Sequence, residues 1–161
     1  DMYSFVFHST SELEIDIKNF IKEASLEKCE IISDNKNKKY ILNKSVFAIA
    51  KSGTVSLEIS NAQIPSLIIY KMGFINFFII KLLVNTKYAN IFNIIAKKII
   101  IPELLQSKCN AEEILRVFNS YINNPEFSRD QLLKCNKILK EIRNESSSIK
   151  TVSDILSKSL S

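Results

Sequence analysis

The sequence predicts an α/β protein: a Rossmann-like parallel sheet with helices on its faces, followed by C-terminal helices. Three observations predict it. Short apolar segments alternate with segments of helical period through the first half of the chain, the order expected of repeated strand-helix units. Residues 45–50 are nearly all apolar, as in a strand buried on both faces. Gly53, one of only two glycines, stands in Ala50-Lys51-Ser52-Gly53-Thr54-Val55-Ser56-Leu57-Glu58, at the joint between that strand and the next helix.

Each element has its own local reason. Residues 3–7 alternate aromatic and small positions as a strand does, and Ser9 with Glu12 reads as a capping box for the helix carrying Leu13, Ile17, Phe20, Ile21 and Ala24. Residues 29–32 read as a second strand, Asp34-Asn35-Lys36-Asn37 as a polar turn, and residues 39–43 as a short helical piece before the third strand. A helix over residues 54–62, capped by Ser52 or Thr54, must stop before Pro65, which cannot continue it. Residues 66–70, β-branched and aromatic, form the fourth strand. The chain then turns helical: residues 74–84, a segment around residues 102–106, and a helix over 110–122 with a capping box at Asn110 and Glu113. A long helix from Pro125 carries Leu132, Leu133, Ile138, Leu139 and Ile142; residues 145–148 read as a loop and the last apolar positions, from Val152 to Leu160, as a short final helix. Residues 85–96, rich in asparagine, read as a loop facing the strand ends.

Composition narrows the function classes. With 46% hydrophobic and 24% charged residues, 161 residues suffice for one domain with a real core. The net charge of +5 is spread over scattered lysines without interleaved stacking aromatics, which argues against nucleic acid and leaves an anionic membrane surface as the better anionic partner. Cys29, Cys109 and Cys135 show no metal-ligand or disulfide spacing, and His8 is the single histidine. No metal and no cofactor is therefore expected, and a cytoplasmic setting fits. Residues 73–84 are too short and interrupted to span a bilayer, residues 3–7 are not expected to act as a signal peptide, being short and without a basic leader, and Phe74, Phe77 and Phe78 suggest peripheral contact with a membrane or acyl chain.

Ligands of parallel sheets sit at the carboxyl ends of strands, which selects His8, Ser33, residues 51–54 and residues 71–73. The loop at Ser52, Gly53 and Thr54 is built to meet an anion, and Glu58, one turn on, can share its side of the helix. A phosphate loop followed by a carboxylate could hold a nucleotide's diphosphate and ribose together.

The separated motifs from Ala50 to Glu58, Pro65 with Ile69-Tyr70-Lys71-Met72, Lys87-Tyr88 through Asn93-Ile94-Ile95-Ala96, and Pro102-Glu103-Leu104-Leu105-Gln106 with Cys109 resemble the lipid-A-disaccharide synthase family. The resemblance runs from about Tyr3 to Ile142 and covers only the C-terminal part of the family. It implies the C-terminal, donor-binding half of a GT-B glycosyltransferase, with residues 1–124 as a UDP-sugar-binding domain and 125–161 as C-terminal helices. It further implies transfer of 2,3-diacylglucosamine from its UDP donor to 2,3-diacylglucosamine 1-phosphate in lipid A biosynthesis. Carried over by residue, Ser52, Gly53 and Thr54 would meet the diphosphate, Glu58 the ribose, Lys71 the leaving-group charge, and Asn93, Glu103 and Gln106 the donor. The acceptor-binding half and its catalytic carboxylate are expected to lie outside these residues, so no catalytic residue is assigned and the isolated chain is expected to be inactive. The C-terminal helices would then need a partner chain or self-association, and the cytoplasmic enzyme would touch the inner membrane peripherally. The competing expectation is a non-catalytic remnant that serves as an interaction or membrane-surface module. One departure is local: the family usually has glycine after the alanine matching Ala96, where this chain has Lys97-Lys98.

Overall fold

Strands of three to five residues cannot stand alone in water, and here they are paired in parallel and backed by helices. The computed structural model describes residues 3–51, 53–71 and 88–159. It shows an α/β chain in two units, residues 1–45 and 46–161, each with its own parallel sheet.

In the first unit, β1 (Phe5–His8) pairs with β2 (Cys29–Ile32), from Phe5 opposite Cys29 to His8 opposite Ile32. The connection is α1 (Glu14–Glu23), entered through a 3-10 turn at Ser11–Leu13. The capping box expected at Ser9 and Glu12 does not form. The Ser9 hydroxyl donates to the Thr10 carbonyl instead, because the 3-10 turn moves the helix start beyond its reach. Asp34 also corrects the sequence reading. It is the N-cap of α2 (Asn35–Lys44), its carboxylate accepting from Asn37 N at 2.7 Å, so the expected polar turn is a helix start.

In the second unit β4 (Ser66–Tyr70) is central, between β3 (Ala48–Lys51) and β5 (Glu103–Leu105). Between them run α3 (Val55–Asn61) and α4 (Ile91–Ala96), and after β5 come a 3-10 turn at Gln106–Lys108, α5 (Ala111–Asn123) and α6 (Pro125–Ser159). Successive residues of β4 serve opposite faces. Ile68 packs with Phe92, Ile100, Ile101, Cys135 and Ile138 on one, and Leu67 with Leu104, Val117 and Tyr121 on the other. Leu67 and Ile68 are both fully buried, so this strand is covered by helices on both sides. Two sequence expectations are corrected here: the segment around residues 102–106, expected to be helical, is the strand β5, whose three residues are too few to show a period, and residues 91–96 of the expected asparagine-rich loop form α4. The expected loop at residues 145–148 is likewise corrected, since α6 continues through it to Ser159. The helix expected over residues 74–84, with Phe74, Phe77 and Phe78, lies outside the described residues, as does Ser52.

One side chain fastens the central strand to the C-terminal helices. Gln131 on α6 is 2% exposed. Its Oε1 accepts from Ser66 N at 2.7 Å, and its Nε2 donates to Ser66 O at 3.0 Å and to the Tyr121 hydroxyl at 2.9 Å. The amide thereby imitates a neighbouring strand at the start of β4. Burial pushes the Tyr121 hydroxyl up to about 12, a proton the Gln131 hydrogen bond does not release. Burial likewise pushes the Cys135 thiol up to about 11, so it sits in the core as an inert apolar group. Replacing Gln131 with Ala should cost about 2–3 kcal/mol, because it orphans a buried backbone N–H and carbonyl together. Urea unfolding measures this, and a change below about 0.5 kcal/mol would show that the amide is not a structural tie.

Candidate functional site

β3, β4 and β5 are parallel, so the loops that leave them share one edge of the sheet. Gly53 and Thr54 follow β3, Lys71 follows β4, and Gln106 follows β5. Gly53 has φ +154°, and nothing lies within 4 Å of where a Cβ would stand; glycine is required by the backbone turn and not by crowding. Its carbonyl accepts from the Ser56 hydroxyl at 2.9 Å, which ties the loop to the first turn of α3. Thr54 occupies the N-cap position with helical angles and no side-chain cap hydrogen bond, contrary to its expected capping role; its hydroxyl is not spent on the helix. Glu58 is exposed one turn further on. Gln106 is half-buried with φ 53°, an uncommon conformation for a residue with a side chain, and its carbonyl accepts from Cys109 N.

Asn93 and Glu103 have a different place. Asn93 is on α4, fully buried, with all four amide positions satisfied by protein. Nδ2 donates to Ile101 O and to Glu103 Oε1, both at 2.7 Å, while Oδ1 accepts from Ile100 N at 2.7 Å and Ile101 N at 2.9 Å. Glu103 opens β5 and reaches back to the start of α4. Its Oε1 also accepts from Asn90 N at 2.8 Å and its Oε2 from Ala89 N at 2.9 Å, a negative charge at a helix N-terminus. The pair joins both ends of α4 to the strand that follows it. Asn90 completes the cap, its Oδ1 accepting from Phe92 N.

Lys97 explains the departure from glycine. It is the C-cap of α4 with φ 52° and ψ 27°, the left-handed conformation that glycine enters without steric cost. The Tyr88 hydroxyl donates to its carbonyl at 3.0 Å and holds the turn closed.

An open cavity of about 240 Å³ at the same sheet edge is lined by Lys51, Ile69, Tyr70, Lys71 and Cys109. The strand-end rule selects both Lys51 and Lys71 from sequence, but only Lys71 carries an expected ligand role; Tyr70 and Cys109 carry none. Among the described residues no group of His, Cys, Asp and Glu could hold a metal ion, and no helix is long and apolar enough to cross a membrane. His8 ends β1 in the first unit, apart from this set in the chain.

The lipid-A-disaccharide synthetase family model matches residues 2–155. The chain belongs to that family. A lipid-A-disaccharide synthase of Rickettsia conorii is 41% identical over 95 residues, which is 59% of this chain and 21% of that protein. That of Rickettsia felis is 35% identical over 133 residues, 83% of this chain and 33% of the relative. That of Persephonella marina is 34% identical over 157 residues, 94% and 40% respectively. The chain thus spans well under half the length of these family members.

Two substitutions test the geometry. Asn93→Asp keeps the shape but replaces the donor amide with a second carboxylate against Glu103. It should cost about 3 kcal/mol at pH 7. The new carboxyl's folded pKa is raised, so the deficit should shrink as pH falls through that value; parent-like unfolding at pH 7 would refute the pairing. Lys97→Gly should raise stability by about 0.5–1 kcal/mol by relieving the left-handed residue. A lower unfolding midpoint for it would contradict the assigned strain.

Proposed function

We propose that this chain is the nucleotide-sugar-binding part of a lipid-A-disaccharide synthase. It would hold a UDP-linked 2,3-diacylglucosamine whose sugar passes to 2,3-diacylglucosamine 1-phosphate. The observation that carries the proposal is the convergence of Gly53-Thr54, Lys71 and Gln106 on the carboxyl edge of one parallel sheet, in a chain of this family.

The roles follow from the chemistry. Ser52, Gly53 and Thr54 would offer backbone N–H and hydroxyl groups to the diphosphate, and Glu58 would accept from the ribose hydroxyls. As the bond between sugar C1 and the diphosphate oxygen breaks, the electron pair leaves with UDP. An ammonium at Lys71 would offset that growing charge. Gln106 would contribute from the end of β5. Asn93 and Glu103 serve the donor by holding α4 and the start of β5 in register, since their polar atoms are committed within the protein. The attacking 6-hydroxyl needs a general base. That role is assigned to the acceptor-binding part of the enzyme.

Calorimetry with UDP tests the proposal. The 161-residue chain should bind it, and Ser52→Ala combined with Glu58→Ala should weaken binding about tenfold or more, as expected for loss of contacts to charged and hydroxyl groups. Equal affinity in variant and parent would remove these residues from the site.

A further inference from the structure

The cavity beside Lys71 has a second cation that the donor-loop assignment leaves unused. Lys51 is the last residue of β3, and its register partner on β4 is Ile69. Register partners share a face of the sheet. Ile69 packs against the cluster of Leu67, Leu104, Val117 and Tyr121, whereas Ala50, one residue earlier in β3, packs against the Ile68 cluster on the other side. Lys51 therefore leaves β3 in register with Ile69, and its amine reaches round the strand end to the Tyr70 ring.

Two ammonium groups border this one cavity of about 240 Å³, and both lysines are exposed. Among the described residues neither is ion-paired with a carboxylate. Lys51 is also placed: its Nζ stands 5.5 Å from the centroid of the Tyr70 ring, within cation–π range, so the side chain is oriented over the cavity wall. Ile69 and the half-buried Cys109 add an apolar lining. Two like charges held open on one wall repel each other unless an anion lies between them. A phosphoryl group, with several acceptor oxygens, suits a pair of lysine donors.

We infer that Lys51 and Lys71, with Tyr70 as the wall that seats Lys51, form a second anion subsite at the carboxyl edge of the sheet, and that it takes a phosphoryl group of a sugar phosphate or nucleoside diphosphate. The subsite goes beyond the donor loop and depends on the proposed function only for the source of that phosphate. The donor diphosphate and the acceptor's 1-phosphate are the two sources.

NMR titration of the 161-residue chain with UDP and, separately, with glucosamine 1-phosphate tests the inference in parent, Lys51→Met and Lys51→Arg proteins. Lys51 is exposed, and unchanged thermal melting confirms that each variant folds. Lys51→Met should weaken at least one probe about tenfold, the loss of one charge-assisted contact, and Lys51→Arg should retain most of the affinity. Weakened UDP binding identifies the donor diphosphate as the source; weakened glucosamine 1-phosphate binding identifies the acceptor phosphate. UDP bound equally by parent and Lys51→Met, with glucosamine 1-phosphate unaffected, overturns the subsite and leaves the donor reading standing. Lys51-dependent binding of glucosamine 1-phosphate by a parent that does not bind UDP upholds the subsite and overturns the donor reading. Binding of neither probe overturns both.

Discussion

The buried pairing of Asn93 with Glu103 is the constraint on which the second unit's architecture rests. A six-residue helix between two strands of a parallel sheet has little stability of its own. Here one carboxylate takes the backbone donors at its start, and one amide takes the backbone of the turn beyond its end. The two side chains close on each other at 2.7 Å. Because the amide is saturated, removing either partner leaves several buried groups without hydrogen bonds, each costing about 1–3 kcal/mol. The exposed helix ion pairs, such as Arg116 with Glu113 at 2.6 Å, are screened by water and contribute far less. Stability is therefore concentrated in a few buried polar ties and in the apolar packing around them.

Gln131 is the corresponding tie at the start of the central strand. It binds the first residue of β4 as a strand would and reaches Tyr121 on α5, so α5 and α6 are fastened to the sheet by polar contacts as well as by Val117, Cys135 and Ile138. With β4 fixed at its start and buried on both faces, its carboxyl end is a rigid base for Tyr70 and Lys71. The groups proposed to meet ligand stand on this base. Gly53, Thr54, Lys51 and Lys71 are exposed, while the residues that hold them in place are buried. That division, with supporting residues inside and ligand-facing residues at strand ends, is the arrangement a preorganised binding edge needs.

Much of the fold was legible because it is written in local chemistry. Pro65 ends a helix, Asn110 caps one through Glu113 N, and the apolar runs at β1 to β4 fall where strands form. Some local readings failed for equally physical reasons. Residues 145–148 hold three serines but no Gly or Pro. Each serine disfavours a helix by only about half a kcal/mol relative to alanine, too little to stop one already propagating. At Asn110 half of the capping box forms, since Glu113 turns to Arg116 instead of back to the cap.

The sequence by itself determined the α/β class, the order of most strands and helices, the strand-end location of the candidate residues and the family resemblance, because periodicity, breakers and short motifs act over a few residues. Only the tertiary structure decided what individual polar side chains do. An asparagine amide can serve a ligand or a backbone turn equally well, and its sequence is the same in both cases. Asn93 became a structural hub because α4 brings Ile100, Ile101 and Glu103, seven to ten positions away, around a side chain that burial has cut off from water. Lys51 joined Lys71 for the same reason. Residues twenty apart share one cavity only because two parallel strands end at the same edge.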